Sequence, residues 1–143
     1  MRRHISHIMA AVISMAAVFS CAAKSDLETA PDDSVFTASG TVHVDDHGSM
    51  NPATIKGVRI IMTSYGVHDI LKLFPVERDT SYTDRAGKYE SSLEMSKNRY
   101  YDILAEDIDG ADNGGEFQPY LMDGIYPGKK NRLENILLYM KRK

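Results

Sequence analysis

Apolar and polar residues alternate in short runs through most of the chain after residue 34, and clusters of Gly, Asp and Asn separate these runs. Successive side chains of a β-strand point to opposite faces, so this alternation predicts strands with one buried face. Many short strands between frequent turns are typical of an all-β sandwich. The predicted strands are Val35–Val44, 55–63, 81–83, 88–95, 100–106 and 135–141.

Two segments fit a helix and a strand equally well. In each, apolar residues are spaced by three and four positions, as on one face of a helix, while the surrounding pattern also suits an extended chain. For the first segment, which precedes Pro75, the sequence does not decide between a helix and a strand. For the second, a sandwich favours a closing strand. The residues concerned are Val67, Ile70, Leu71 and Phe74 in the first segment and Leu133, Ile136, Leu137 and Met140 in the second.

The first twenty residues differ in kind from the rest. Arg2 and Arg3 precede an apolar stretch at 8–19 that contains no charged residue. This stretch is shorter than the roughly 20 residues that a membrane-spanning helix needs, so it predicts a secretory signal peptide. It runs into Val18-Phe19-Ser20-Cys21, which resembles the lipobox of bacterial lipoproteins.

That resemblance implies that cleavage before Cys21 makes this residue the mature N-terminus, acylated on its thiol and its amine. Three acyl chains would hold the protein on a membrane essentially permanently. Ala22, rather than Asp, follows the cysteine, which favours sorting to the outer membrane of a Gram-negative cell and leaves the periplasmic or surface face open. Residues 21–33 are small, polar and acidic and are expected to form a flexible tether.

Composition excludes several classes of partner and kinds of structural site for the remaining body, residues 34–143. Seventeen basic and 20 acidic residues give the whole chain a net charge of −3, and loss of the two leader arginines makes the mature chain more acidic, at −5. This charge argues against a nucleic-acid partner. The single cysteine excludes an internal disulfide and a cysteine-rich zinc site. The body is long enough for one domain with its own core.

Three stretches of the body, Gly40-Thr41-Val42, residues 55–60 and Thr83-Asp84-Arg85-Ala86-Gly87-Lys88-Tyr89, resemble the carboxypeptidase regulatory-like domain. The resemblance implies a Greek-key sandwich of the transthyretin (prealbumin) type, with a hairpin at 84–87. Together with the lipobox, residues 107–115 resemble the family of radical SAM-associated lipoproteins. This second resemblance implies no activity; it implies a radical SAM system as a possible companion.

The densest group of oxygen ligands lies at 107–116, and it suggests calcium, which binds six to eight oxygens in irregular geometry. The spacing does not fit an EF-hand, because Ala111 and Asp112 stand where a ligand and the invariant glycine belong. The alternative is a loop whose Asp-Gly and Asn-Gly pairs only form turns. The candidate ligands are Asp107, Asp109, Asp112, Asn113 and Glu116.

Two weaker candidates remain. His43, Asp45 and His47 alternate, so an extended strand would place them on one face suited to zinc or copper, although 46–48 also reads as a turn. Five tyrosines are candidates for an aromatic surface that contacts glycan or protein, with about half expected in the core; they are Tyr100, Tyr101, Tyr120, Tyr126 and Tyr139.

The sequence carries none of the common local catalytic motifs, and its one thiol is expected to be acylated. The expected function is therefore non-enzymatic. We expect a lipid-anchored envelope β-sandwich that serves as a binding or structural accessory module for an envelope protein or glycan. Whether it also works with a radical SAM system is left open by the sequence. The alternative is a calcium-dependent adhesion or contact module that uses the loop at 107–116.

Overall fold

The computed structural model describes residues 35–143, which form seven strands and one short 3₁₀ turn, at Asp112–Gly114. The prediction of an all-β sandwich is confirmed. The strands are β1 (Val35–Val44), β2 (Arg59–Gly66), β3 (Pro75–Tyr82), β4 (Lys88–Glu94), β5 (Arg99–Glu106), β6 (Tyr120–Ile125) and β7 (Arg132–Met140).

The strands form two sheets, one in the order β4-β1-β7 and the other in the order β3-β2-β5-β6. β1 and β7 run parallel, and the other paired strands run antiparallel. The chain crosses from β3 in one sheet to β4 in the other, and β5 then returns to lie beside β2. Strands β2 to β5 therefore follow the Greek-key order.

Side chains of β3 accept hydrogen bonds from backbone N–H groups at the unpaired edge of β4. The Ser92 N–H donates to the Asp79 carboxylate over 3.0 Å, and the Glu94 N–H donates to the Glu77 carboxylate over 2.9 Å. Backbone N–H groups along an unpaired edge need such partners and otherwise invite pairing with another chain. The two sheets are thus joined by side chains where no backbone ladder connects them.

The core lies between the sheets and takes alternate residues from the strands. The rings of Phe36 in β1 and Tyr101 in β5 lie 4.6 Å apart and link the two sheets, and the Tyr101 hydroxyl donates to the Glu94 carbonyl over 2.8 Å. Burial of each large apolar side chain is worth about 1.5–3 kcal/mol. The largest fully buried apolar side chains are Phe36, Val42, Val58, Ile60, Met62, Tyr101, Ile103, Leu138 and Met140.

The ambiguous closing segment is a strand with a bulge. Asn135 has a φ of 60°, and the register between β1 and β7 shifts at this point. The extra residue explains why Leu133 and Ile136, three positions apart, both pack against the core. Beyond the bulge ordinary alternation resumes, and Leu138 is buried.

Other strand predictions differ at their limits. β2 begins at Arg59 rather than at 55 because Gly57, at a φ of 76°, turns the chain first. β3 extends from Pro75 to Tyr82, well beyond the predicted 81–83, and β6 was not predicted. The other ambiguous segment, 67–74, is neither helix nor strand but a loop between β2 and β3.

The strand directions give the sandwich two distinct ends. β1 starts at one end, where Val35 pairs with Glu94, and the loops 67–74, 95–98 and 126–131 lie there too. We call this the proximal end. The distal end carries the loops 45–58, 83–87 and 107–119 and the C-terminal residues 141–143.

Candidate contact surface

The loop at 67–74 is built around Asp69. Its carboxylate accepts hydrogen bonds from the N–H groups of Leu73 and Phe74, over 3.1 and 2.7 Å. Its carbonyl accepts one from the Tyr100 hydroxyl over 2.7 Å. These bonds satisfy backbone groups that no strand partner reaches, so the loop has a defined shape.

Lys72 turns inward from this loop. Its backbone takes a left-handed φ of 55°, and its ammonium group lies 2.6 Å from a carboxylate oxygen of Asp102 and 3.4 Å from one of Asp123. The same ammonium group stands 5.7 Å from the centre of the Tyr100 ring and 6.0 Å from that of Tyr65, within the range of a cation–π contact. The cation is therefore drawn onto the outer face of the four-stranded sheet.

Asp102 explains why the lysine lies there. It points to the outer face of β5, yet it is only 5% exposed because the loop covers it. One carboxylate oxygen accepts the Gly124 N–H over 2.9 Å at a register shift between β5 and β6, and the other accepts Lys72. The hydrogen bond to Asp102 raises the pKa of Lys72, so the lysine stays charged at neutral pH.

With its polar groups turned inward, the loop presents its apolar side chains to solvent. Ile70 is 83% exposed and Phe74 is 75% exposed. A group of exposed large apolar side chains at neighbouring positions is typical of interaction surfaces, and transfer of each side chain from water is worth about 1.5–3 kcal/mol. We call these residues the apolar loop surface; they are Ile70, Leu71, Leu73, Phe74 and Val76.

Charge is unevenly divided between the ends of the sandwich. The proximal loops contain four lysines and a single acid, Asp69, which the loop's own N–H groups engage. The distal loops and the C-terminal residues contain seven acids and five bases. Lys72 is paired with Asp102 and Asp123, so three exposed lysines share the proximal end with the apolar loop surface, in a body whose acids outnumber its bases. The proximal lysines are Lys72, Lys97, Lys129 and Lys130.

The candidate calcium ligands lie together in one distal loop, but several of them bind protein groups. Asp107 accepts the N–H groups of Phe117, over 2.8 Å, and Asp109, over 3.3 Å. Burial opposes ionisation of Asp107, but these hydrogen bonds outweigh it and lower its pKa. Asp109 accepts a hydrogen bond from the Asn113 amide, and Glu116 lies 3.7 Å from Lys143. Asp112 lies in the 3₁₀ turn and is exposed.

The alternating histidines do not share one face. β1 ends at Val44, and His43 contacts the Pro52 carbonyl at 3.2 Å and the Tyr139 ring. His47 is exposed and pairs with Asp45 at 3.3 Å. Within residues 35–143, no three side chains of His, Cys, Asp or Glu come together in an arrangement that holds a metal ion.

The five tyrosines do not form one surface. Tyr100 and Tyr101 are buried on opposite faces of β5, and Tyr120 is partly buried. Tyr126, in a proximal loop, is exposed and lies 5.7 Å from the Tyr100 ring, whereas Tyr139 lies in β7 beside His43. Tyr100 instead supports the loop at 67–74, through its hydrogen bond to the Asp69 carbonyl.

The predicted lipidation site, Cys21, and the predicted leader (1–20) and tether (21–33) lie outside the described residues. Across 35–143 there is no helix of the length and apolar character needed to cross a membrane.

No family model and no curated protein matches the chain. Among solved structures the chain is similar to the major plantain pollen allergen Pla l 1, at 14% identity and a TM-score of 0.45, over 77% of this chain and 95% of that one. It is also similar to the N-terminal domain of the shaft pilin spaA from Lactobacillus rhamnosus GG, at 10% identity and a TM-score of 0.45, with the same coverage. The identities are too low to transfer a function to this chain.

Proposed function

We propose that this protein is a lipid-anchored lipoprotein of the Gram-negative outer membrane, whose β-sandwich serves as a non-enzymatic binding or structural accessory module. The anchor rests on the leader and on Cys21. The observation that carries the binding role is the apolar loop surface, because the bonds of Asp69 and Lys72 fix a group of exposed apolar side chains that the sandwich itself does not bury.

The anchor is tested by growing cells with an alkyne-tagged fatty acid and comparing the natural chain with Cys21→Ser. We expect the label on the natural chain and its loss in the variant. Ser20→Ala is the matched control, because it changes the neighbouring residue and keeps both the thiol and a small residue before it. Equal labelling of natural chain and Cys21→Ser would refute the anchor.

The partner proposal includes a radical SAM system, by the resemblance of the lipobox and residues 107–115 to the associated lipoprotein family. If such a system modifies the chain, the intact mass of the native protein will exceed that of the triacylated polypeptide. A mass equal to that of the triacylated, otherwise unmodified chain would count against a role as its substrate.

A calcium-dependent adhesion or contact module remains the alternative function. Its candidate ligands share one loop, although Asp107 and Asp109 already accept hydrogen bonds from protein donors. This alternative stays a prediction, which a measurement of calcium binding to the natural chain tests.

A further inference from the structure

We propose that the proximal end of the sandwich lies against the phospholipid leaflet in which the protein is anchored, with the apolar loop surface inserted among the headgroups. This inference rests on the proposed lipid anchor and adds an orientation to it. Three features of the molecule support this orientation: the end at which the chain enters the sandwich, the exposed apolar side chains and the lysines of the proximal loops.

The chain enters the sandwich at the same end as the apolar loop. Val35, the first described residue, pairs with Glu94, and the Glu94 N–H donates to Glu77, two residues beyond the start of β3. Arg99 closes this corner by bonding the carboxylates of both glutamates, at 3.3 and 3.1 Å. An anchor that precedes Val35 is therefore connected to the proximal end of the sandwich, which also carries the apolar loop.

The length of chain before Val35 allows contact with the membrane. Fourteen residues lead from Cys21 to Val35, and even a fully extended chain of this length spans at most roughly 50 Å. A surface held within this distance of the leaflet meets it at a high effective concentration, so even a weak contact is populated. A partner free in solution has no such advantage.

The chemistry of the proximal end suits a phospholipid headgroup region. Apolar side chains flanked by lysines are typical of surfaces that bind at a membrane interface, because the side chains enter the acyl boundary and the ammonium groups meet anionic phosphates. Lys97, Lys129 and Lys130 are exposed in the other two loops of the proximal end. The distal end has the opposite charge balance and does not fit this role.

Depth-dependent quenching in vesicles tests the orientation. The acylated protein is reconstituted in vesicles of phosphatidylethanolamine and phosphatidylglycerol that contain a nitroxide-labelled lipid. An environment-sensitive fluorophore is attached through Leu71→Cys or, as the matched control, through Met50→Cys at the distal end. Both natural residues are highly exposed, at 76% and 97%, so neither substitution disturbs the core. Since Cys21 is the chain's sole cysteine and is acylated, the introduced thiol takes the label.

We expect quenching roughly threefold stronger at position 71 than at position 50, with blue-shifted emission at position 71. Reversing two proximal charges with Lys129→Glu and Lys130→Glu should weaken the quenching at position 71 on these vesicles and have little effect on phosphatidylcholine vesicles. Equal quenching at the two positions would overturn the proposal. So would shielding of position 71 that disappears when the protein is diluted in lipid, because that outcome identifies a second copy as the occupant.

A further arm separates this inference from the anchor itself. The fatty-acid label reports acylation independently of the fluorophore. In the Cys21→Ser background, vesicles are added to the labelled chain in increasing amounts, and we expect a blue shift at position 71 and none at position 50. If acylation fails but this shift appears, the proposed anchor is wrong and the membrane-facing surface is supported. If acylation succeeds but no shift or quenching appears at position 71, the anchor is supported and the membrane-facing surface is wrong.

Discussion

At the scale of single residues, Gly40 is fixed by the bulge that faces it. A Cβ at this position would lie 1.9 Å from the carbonyl oxygen of Ile136, which is backbone and does not move aside. We expect Gly40→Ala to lower the free energy of unfolding by roughly 3 kcal/mol. Gly66→Ala is the control, since nothing lies within 4 Å of its Cβ position, and it should change stability by less than about 0.5 kcal/mol. Urea unfolding in the Cys21→Ser background measures both, and equal effects would contradict the bulge geometry.

Two buried tyrosines differ in how their hydroxyls are satisfied. The Tyr89 hydroxyl is buried without a hydrogen-bond partner, whereas that of Tyr101 donates to Glu94 and accepts the Ser96 N–H. Tyr89→Phe should therefore keep or raise stability at neutral pH, and Tyr101→Phe should lose about 1–2 kcal/mol. Thermal unfolding of the two variants distinguishes these outcomes. A loss at Tyr89 as large as at Tyr101 would show that its hydroxyl has a partner.

The same burial makes Tyr89 a source of alkaline instability. Burial raises its pKa far above the ordinary value of about 10. Above that pH the unfolded chain releases the proton and the folded chain keeps it, so the stability present at lower pH is lost as pH rises. Tyr89→Phe should lose less stability than the natural chain between neutral pH and the alkaline range. Parallel pH curves for the two proteins would contradict this expectation.

At the scale of elements, the pair formed by Lys72 and Asp102 holds the loop at 67–74 on the sheet. Lys72→Met leaves a buried carboxylate without its cation and should cost about 2 kcal/mol, less than a fully buried pair because 30% of the lysine side chain reaches solvent. Adding Asp102→Asn should recover part of that loss, which a double-mutant cycle measures. Arg132→Met, which breaks exposed pairs with Glu90 and Glu134, should cost less than about 1 kcal/mol. Strictly additive effects at Lys72 and Asp102 would argue against their coupling.

The distal acidic loop is ordered by its own donors, with Asp107 at its base. Asp107→Ala should cost about 1–2 kcal/mol, because it leaves the Phe117 N–H without its acceptor. The pKa of Asp107 is lower in the folded chain than in the unfolded chain. Its contribution to the free energy of unfolding is therefore complete above the ordinary carboxyl pKa and is lost as pH falls through the folded-state pKa. The variant should therefore lose less stability in acid than the natural chain. Identical acid curves would contradict this assignment.

Calcium offers a separate test of the same loop. Because Asp107 and Asp109 are engaged by protein groups, we expect millimolar calcium to leave the melting temperature of the full chain unchanged. Calorimetry on the natural chain measures any heat of binding, and Asp109→Asn with Asp112→Asn serves as the matched variant. A thermal shift in the natural chain that disappears in the variant would establish the calcium-dependent alternative instead.

The strands that sequence patterns predict well are those with one face in the core. β4 alternates strictly between exposed and buried residues, and β1 alternates between partly and fully buried residues over most of its length, because their inward residues pack between the sheets. β5 is buried on both faces from Tyr100 to Ile103, so its burial does not alternate there. β3 alternates only between partly buried and exposed positions, and β6 is largely exposed, so neither stands out as apolar periodicity. The bulge at Asn135 adds one residue to β7 and imitates the spacing of a helix.

The candidate contact surface was beyond sequence reasoning for a physical reason. The spacing of Val67, Ile70, Leu71 and Phe74 suggests a buried face, but most of these side chains are exposed. The apolar side chains of the loop face solvent because Asp102, thirty residues away in sequence, binds Lys72 on the inner side of the loop. A lysine within a run of apolar residues was the available signal, and it is meaningless until its distant partner is known. The acidic cluster at 107–116, by contrast, was visible in sequence because its members are neighbours.

At the scale of the whole molecule, the core and the apolar loop surface are separate. The core lies between the sheets, whereas the loop at 67–74 lies outside them and rests on the outer face of β5 through polar contacts. Stability and surface chemistry are therefore independent properties of this fold. A change to the exposed apolar side chains should alter what the protein touches and leave folding intact.

The triple variant Ile70→Ser, Leu71→Ser and Phe74→Ser tests this separation. These side chains are 75–83% exposed in the folded state, so their loss removes little buried area, and we expect the free energy of unfolding to change by less than about 1 kcal/mol. The Phe74 N–H, which Asp69 accepts, is retained. In the Cys21→Ser background, binding of an apolar dye should fall markedly, while the urea midpoint stays close to that of the parent. Tyr82→Ser, at an exposed position near the distal end, is the control and should leave dye binding unchanged. A large fall in stability would mean that the apolar side chains belong to the core, and unchanged dye binding would place the exposed apolar surface of this molecule elsewhere.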